Sequence, residues 1–184
     1  MKIVIDGNIG SGKSNVLTNF SNAFLEPIDE WKDWLKLFYK EEKYAFGFQM
    51  KVLKSHLDNK KFNGLFERSP LSCVEIFGKV LYEDKLINTL EWQLMNEYYY
   101  SYGWYPDIIY YLQCSPEICY NRIKNRNRNS EDSISLEYIT KIHNKYEEIY
   151  NNKKLLPDNI KINIIDASLP PDIVYNQILS TIHL

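Results

Sequence analysis

The polar and apolar positions of this chain follow two spacings: short continuous apolar runs and longer stretches with helical periodicity. The apolar runs have the length of buried parallel strands and end at glycine, proline or polar turn residues. Five such runs cover residues 1–6, 23–27, 65–66, 107–113 and 160–166. Helical spacing covers residues 15–22, 31–39, 44–57, 71–81, 87–100, 117–124, 136–150 and 171–182. Because strands alternate with helices throughout, the pattern predicts an α/β fold with a five-stranded parallel sheet and helices on both faces.

The junction between the first strand and the first helix is glycine-rich. It reads Gly7-Asn8-Ile9-Gly10-Ser11-Gly12-Lys13-Ser14, which matches the G-x-x-x-x-G-K-[ST] pattern of a phosphate-binding loop in its expected place after a strand. In such a loop backbone N–H groups bind phosphate, Lys13 reaches the β- and γ-phosphates, and the Ser14 hydroxyl binds Mg²⁺. The segment therefore predicts a nucleoside triphosphate site with a magnesium ion.

Length and composition are those of a single domain over residues 1–184. With 45% apolar residues the chain can bury a sizeable core. The net charge of −2 argues against broad binding to nucleic acid or an anionic membrane surface, and no segment approaches the length of a membrane span. We expect no signal or transit peptide, since the phosphate loop begins at residue 7. An odd number of cysteines in a nucleotide-binding protein indicates reduced, intracellular thiols.

Two predicted strand ends carry acidic residues that suit phosphoryl transfer. Glu26 ends one strand, where catalytic groups of open α/β sheets gather, and can accept a proton from a substrate hydroxyl. Glu67 and Arg68 follow another strand: the carboxylate can help hold Mg²⁺, and the guanidinium can pair with Glu26 and contact the acceptor oxygen. The alternatives are a surface carboxylate before a turn proline and an ordinary ion pair at a helix start.

Arginine is scarce and clustered. Of 22 basic residues only four are arginine, and Arg122, Arg126 and Arg128 lie at the end of one predicted helix and in the polar segment beyond it. Guanidinium groups on a closing lid, here about residues 122–133, suit the charge that develops on a phosphoryl group during transfer. The alternative is a solvated basic loop.

Five segments, in order, resemble the deoxynucleoside kinases, the cellular and viral enzymes related to deoxycytidine, deoxyguanosine and mitochondrial thymidine kinases. They are GNIGSGKS at 7–14, EPIDEW at 26–31, Phe48-Gln49, Glu67-Arg68-Ser69 and YLQCSPEICYNRIKNRNRNSED at 111–132. The resemblance runs in register from about residue 2 to 166. It implies a P-loop kinase fold, ATP and Mg²⁺ as cofactors, a homodimer that forms through helices near residues 71–100, and a cytoplasmic protein, in the host cytoplasm if viral.

The resemblance also implies a role for each matching residue. Glu26 would be the general base on the 5′-hydroxyl of a deoxynucleoside, Arg68 would hold that hydroxyl and Glu26, and Glu67 would lie on the metal side. Arg122, Arg126 and Arg128 would be the lid arginines, with Arg122 also near the donor base. The substrate pocket would consist of Gln49 at the base edge, Phe77 stacked on the base, Trp31 and Phe48 as walls, and Tyr39 and Glu131 at the sugar 3′-hydroxyl.

The wall of the base pocket departs from the family. The resemblance places Val52, His56 and Cys73 there; His56 stands where family members carry Met, Arg or similar residues, and Cys73 where purine- and cytosine-preferring members carry Asp. The Gln49 amide can pair with adjacent donor and acceptor atoms of thymine or cytosine, and a mostly apolar wall suits the thymine methyl group. We therefore expect a pyrimidine preference, with thymidine at least as good as deoxycytidine, although His56 could pair with a purine or with cytosine.

Two other functions use the same features. A deoxynucleoside monophosphate kinase shares the loop and the lid but needs further cationic groups for the acceptor phosphate. Outside the predicted lid Arg68 is the only arginine in the sequence, although lysines could substitute. A non-catalytic nucleotide-binding module would need no base at Glu26. The carboxylates and the arginine cluster favour the deoxynucleoside kinase.

Overall fold

The predicted α/β class and parallel sheet are confirmed. The computed structural model describes residues 1–126, 134–152 and 156–182, and within these ranges five strands form one parallel sheet in the order β2-β3-β1-β4-β5. The strands are β1 (Lys2–Asp6), β2 (Ala23–Phe24), β3 (Gly64–Glu67), β4 (Ile108–Gln113) and β5 (Lys161–Asp166). β1 lies at the centre of the sheet and pairs with β3 on one side and β4 on the other. Its carboxyl end therefore opens onto the glycine-rich segment.

Helices separate the strands along the chain. They are α1 (Lys13–Leu17), α2 (Ile28–Lys40), α3 (Ala45–Asp58), α4 (Pro70–Ser72), α5 (Lys79–Glu83), α6 (Thr89–Tyr102), α7 (Pro116–Arg126), α8 (Leu136–Asn151) and α9 (Pro171–Leu179). A π-helical turn, Cys73–Gly78, joins α4 to α5. None of the helices in the described ranges is long and apolar enough to cross a membrane.

The chain forms two compact units, each with its own core. The sheet unit comprises Met1–Leu25, Asn63–Glu67 and Pro106–Leu184, and the helical unit comprises Glu26–Phe62 and Arg68–Tyr105. In the sheet unit the core is built on β1, whose Ile3, Val4 and Ile5 are fully buried. In the helical unit the core lies between α3, α6 and the π-helical turn, and includes Leu53, Val74, Ile76 and Met95.

The first helix is shorter than its apolar pattern predicted. α1 ends at Leu17, whereas helical spacing continues to residue 22. The side chains of Thr18 and Asn19 both donate hydrogen bonds to the carbonyl oxygen of Asn15, at 3.1 Å and 2.7 Å. Side chains that bind carbonyl groups of the preceding turn compete with helical backbone bonding, which explains why the helix stops here.

The helix predicted over residues 71–81 is also interrupted. Its middle part, Cys73–Gly78, is π-helical, so backbone bonding there shifts from the fourth to the fifth residue along the chain. Hydrophobic periodicity did not reveal this change, because the apolar positions on both sides of the short π-helical segment still fit a helical spacing.

Candidate active site

The glycine-rich segment of the sheet unit adopts the backbone conformation that its glycines permit. Gly10 and Gly12 have φ angles of 82° and 98°, in the left-handed region that favours glycine. A Cβ atom at Gly10 would clash with the carbonyl oxygen of Cys119, while the space beside Gly12 is open among the described residues. The buried Ser11 hydroxyl has no hydrogen-bond partner in the described part of the chain. An open space bounded by backbone amides and a hydroxyl suits a phosphate group.

The two residues that follow the last glycine face different groups. Lys13 is buried, and its ammonium donates to the carbonyl oxygens of Gly7 and Asn8 at 3.0 Å and 2.7 Å. The Ser14 hydroxyl donates to Glu67 Oε1 at 3.0 Å. Lys13 is the predicted cation for the β- and γ-phosphates, and Ser14 and Glu67 are the predicted metal ligands. All three lie at the carboxyl ends of β1 and β3.

This oxygen pair fits a magnesium ion better than a metal that needs a protein cage. In the ranges that the structure describes, no cluster of three or more histidine, cysteine or acidic side chains is present. Mg²⁺ is typically held by one or two protein oxygens together with water and substrate phosphates. Ser14 and Glu67 would provide the protein oxygens.

Arg122 is anchored within the sheet unit. Its Nη1 donates to the carbonyl oxygen of Ala167 at 2.8 Å and to the Cys114 sulfur at 3.7 Å. A hydrogen bond from the Cys119 thiol, together with the positive charge of Arg122, lowers the pKa of Cys114 to about 7. The guanidinium is therefore held at the start of the predicted lid, beside the Cys114 thiol.

The remaining predicted lid residues are only partly described. Arg126 is the last residue of α7 and is exposed to solvent. Arg128 and Glu131 lie outside the described residues, so their assignments stay predictions.

The predicted general base lies in a buried charged cluster of the helical unit. The Glu26 side chain is 7% exposed, and Arg68 Nη1 donates a hydrogen bond to its Oε2. His56 Nε2 lies 3.7 Å from the other carboxylate oxygen and has no hydrogen-bond partner among the described residues. A buried carboxylate requires a compensating positive charge, which Arg68 provides.

Arg68 is held in this position by an unusual backbone conformation. Its φ angle is 60°, which is uncommon for a residue other than glycine. The guanidinium lies over the Phe77 ring, 4.7 Å from the centroid. Such conformations persist at functional sites where the surroundings hold them in place. The turn at the end of β3 thus presents Glu67 to Ser14 and Arg68 to Glu26.

The predicted base-reading residues also meet within the helical unit. Gln49 Nε2 donates to the Cys73 carbonyl oxygen at 2.6 Å and lies 3.2 Å from the Cys73 sulfur. Burial, and then the charge of Glu26, raises the pKa of the Cys73 thiol far above its usual range, so the side chain stays neutral. Gln49, Val52 and His56 are all buried and lie on one face of α3.

Aromatic rings of α2 and α3 form two groups of contacts. The Trp31 and His56 rings meet edge to face with centroids 6.1 Å apart. Phe48 stacks on Phe38 at 5.5 Å, and Tyr39 packs against the same Phe38 ring at 5.6 Å. Buried Trp31 Nε1, like His56 Nε2, has no hydrogen-bond partner within the described ranges. Two orphaned polar atoms among aromatic rings favour a ligand that is both flat and polar.

Sequence reasoning missed several residues that support these sites. Phe38 joins Phe48 to Tyr39, and Trp104 Nε1 donates to the His56 carbonyl oxygen at 2.8 Å. The Asp6 carboxylate accepts hydrogen bonds from two buried tyrosines of α8. An acidic residue at the end of a buried strand was the available signal for Asp6; the tyrosines resembled a compositional bias.

Comparison with known proteins identifies similar sequences over most of the chain. The family model described as deoxynucleoside kinase matches residues 3–179. A probable deoxycytidine kinase of fowlpox virus is 33% identical over 165 residues, 80% of this chain and 70% of the relative. A putative kinase of Invertebrate iridescent virus 3 is 31% identical over 96% of this chain and 93% of the relative. Human mitochondrial thymidine kinase 2 is 31% identical over 90% of this chain and 70% of the relative.

Solved structures resemble this one over nearly its whole length. Deoxyadenosine kinase from M. mycoides with the products dCMP and dCDP superposes with a TM-score of 0.86 at 28% identity, over 98% of this chain and 97% of the other. The same enzyme with bound dATP gives a TM-score of 0.82 at 27% identity. These likenesses confirm the P-loop kinase fold that the sequence predicted.

Proposed function

This chain belongs to the deoxynucleoside kinase family, and we propose that it transfers the γ-phosphoryl group of ATP to the 5′-hydroxyl of thymidine or deoxycytidine in preference to purine deoxynucleosides. The observation that carries the reaction is the buried pair of Glu26 and Arg68, a carboxylate and a guanidinium joined by a hydrogen bond in the unit that holds the base-reading residues. The base preference rests on the neutral residues around Gln49.

The phosphate donor would be held by the sheet unit. Backbone amides of residues 7–14 would bind the phosphates, and the Lys13 ammonium would move from the loop carbonyls to the β- and γ-phosphates. Ser14 and Glu67 would hold Mg²⁺, which when bound neutralises charge on the donor phosphates. Charge neutralisation and alignment supply most of the catalysis in phosphoryl transfer.

The acceptor hydroxyl would be activated in the helical unit. Glu26 would take the proton from the 5′-hydroxyl as the oxygen attacks the γ-phosphorus, while the bond from that phosphorus to the bridging β-phosphate oxygen breaks and ADP leaves. Arg68 would keep the carboxylate in place through the hydrogen bond to Oε2. Arg122, Arg126 and Arg128 would then offset the charge on the transferring group.

The base would be read by Gln49 against a wall of neutral side chains. The contact with the Cys73 carbonyl fixes the orientation of the Gln49 amide, so that its oxygen can accept from N3–H of thymine or the amino group of cytosine. Val52 and the neutral Cys73 thiol supply apolar surface for the 5-methyl group of thymine, worth about 1 kcal/mol. Relatives are named for deoxycytidine, thymidine and deoxyadenosine, so their names alone do not support one base over another.

Aromatic side chains would enclose the nucleoside. We propose that Phe77 stacks on the base, with Trp31 and Phe48 as walls, and that Tyr39 and Glu131 bind the 3′-hydroxyl. Two groups of ring contacts support this lining, one between Trp31 and His56 and the other of Phe48 and Tyr39 with Phe38.

The reaction is tested by supplying ATP and Mg²⁺ with each deoxynucleoside or each deoxynucleoside 5′-monophosphate, and following products by ³¹P NMR. We expect 5′-monophosphates from the deoxynucleosides and little turnover of the monophosphates. If the protein instead converts added monophosphates to diphosphates and does not phosphorylate nucleosides, it is a deoxynucleoside monophosphate kinase. Nucleotide binding without any transfer would identify a non-catalytic module.

We further propose that the protein is a homodimer, with residues 1–184 acting as one kinase domain. Leu90, Leu94, Tyr98 and Tyr102 of α6 recur every four residues and are exposed, Leu90 by 76%. Such a stripe on a helix suits contact with a second copy. Sedimentation of wild type should give a dimer and Leu94→Glu a monomer; a monomeric wild type would refute this proposal.

The viral relatives support a place of action in the host cytoplasm.

A further inference from the structure

A buried carboxylate precedes the phosphate loop. Asp6 is the last residue of β1 and is fully buried. Its Oδ1 accepts the backbone N–H of Gly7, the first residue of the loop, at 2.8 Å. The loop thus begins on a hydrogen bond to a charged group, and hydrogen bonds of that kind are about twice as strong as neutral ones.

Two tyrosines of α8 bind the same carboxylate. Tyr146 donates to Asp6 Oδ1 and Tyr150 donates to Oδ2, each at 2.6 Å. They are four residues apart on one helix face, and both are buried. Burial and the Asp6 charge raise the pKa of the Tyr150 phenol well above its usual range, so the hydroxyl keeps the proton that it donates.

The neighbouring side chains fix the tyrosines and their helix. The Tyr111 ring of β4 stacks on Tyr146 at 5.4 Å and meets Tyr150 edge to face at 5.2 Å. The Tyr111 hydroxyl donates to Glu147 Oε1 at 2.6 Å. A second link joins the loop to the start of α8, where Asn8 Nδ2 donates to the Ile139 carbonyl oxygen at 2.9 Å.

This arrangement solves an electrostatic problem at an anion site. A buried carboxylate without enough donors would bind further N–H groups of the adjacent loop, and those groups are needed by the phosphates. Two phenol donors and the Gly7 N–H satisfy the carboxylate, so that it does not compete with the phosphates for the later amides of the loop.

We propose that Asp6, Tyr146 and Tyr150 are positioning residues that hold the phosphate loop in its ATP-binding form. They act through the Gly7 N–H and the loop backbone rather than by contact with the substrate. This inference rests on the proposed function, since it takes ATP as the ligand of the loop.

The test is the affinity of the whole protein for ATP when both hydroxyls are removed. Tyr146→Phe/Tyr150→Phe retains the rings and their stacking on Tyr111. We expect its Kd for ATP, measured by calorimetry without nucleoside, and its KM for ATP to rise by about tenfold or more, with the KM for thymidine within about twofold of wild type. The matched control is Tyr110→Phe on β4. This variant removes the hydroxyl of another buried tyrosine, which forms a hydrogen bond with Thr181 Oγ1 at 3.1 Å.

The control separates positioning from stability. Both variants should lower the melting temperature, but only the double variant should lose ATP affinity. An unchanged Kd for ATP in a double variant with a lowered melting temperature would overturn the inference. If the double variant does not fold, Tyr150→Phe alone decides in the same way. A wild type that binds no ATP would refute the proposed function instead.

Discussion

Replacing Glu26 with glutamine tests the proposed general base. The amide has nearly the shape of the carboxylate and can still accept from Arg68, but it cannot take the proton of the 5′-hydroxyl. Loss of a general base typically lowers kcat by about 10²–10⁴-fold, which corresponds to about 3–5 kcal/mol of barrier. Because the Glu26 and Arg68 side chains are only 7% and 9% exposed, loss of their charge pairing should also cost about 1–3 kcal/mol of folding free energy.

Two measurements separate these effects. Steady-state kinetics at 25 °C should show the fall in kcat with a KM for thymidine close to wild type, and thermal unfolding should show a melting temperature lower by about 2–10 °C. Glu30→Gln is the matched control, since Glu30 lies on the neighbouring α2 and its side chain is 66% exposed, 3.7 Å from Lys51. It should behave as wild type. A Glu26→Gln variant with unchanged kcat and a raised KM would make Glu26 a binding residue and refute the mechanism.

Three further substitutions address the donor, the lid and the base. Lys13→Ala should abolish most turnover and weaken ATP binding, since the phosphates lose their cation; wild-type activity would contradict the loop assignment. Arg126→Lys or Arg128→Lys should lower kcat more than it raises the KM for thymidine, because lysine lacks the planar fork; equal activity across pH would indicate a solvated loop. Cys73→Asp should shift the substrate preference away from thymidine, while the neutral control Cys73→Ser should not. If Cys73→Asp leaves the ranking of the four deoxynucleosides unchanged, this side chain does not line the base.

The sequence predicted the fold well because each element has a strong local signal. The buried strands β1 and β4 are mostly apolar runs, and α7 and α9 begin with proline. The predictions failed at two details of backbone bonding. α1 stops where the side chains of Thr18 and Asn19 bind the Asn15 carbonyl, and residues Cys73–Gly78 are π-helical.

The candidate site was less predictable because it depends on contacts between distant residues. Strand ends pointed to Glu26 and Arg68 separately, but the third member of their cluster, His56, comes from α3 and was placed only by resemblance. Gln49 contacts the carbonyl oxygen of Cys73, the first residue of the π-helical turn and 24 residues away in sequence. Asp6 and its two tyrosines are 140 and 144 residues apart in sequence, so no local pattern could join them.

The most direct test of the account is a competition assay in which all four deoxynucleosides are supplied together with ATP and Mg²⁺. Product ratios report relative kcat/KM directly, without differences in enzyme concentration or stability. The Gln49 amide and the neutral wall of Val52 and Cys73 predict that thymidine is phosphorylated at least as fast as deoxycytidine, and both faster than the purines. A purine deoxynucleoside as the best substrate would contradict the proposed base pocket, and would point to His56 as the residue that pairs with it.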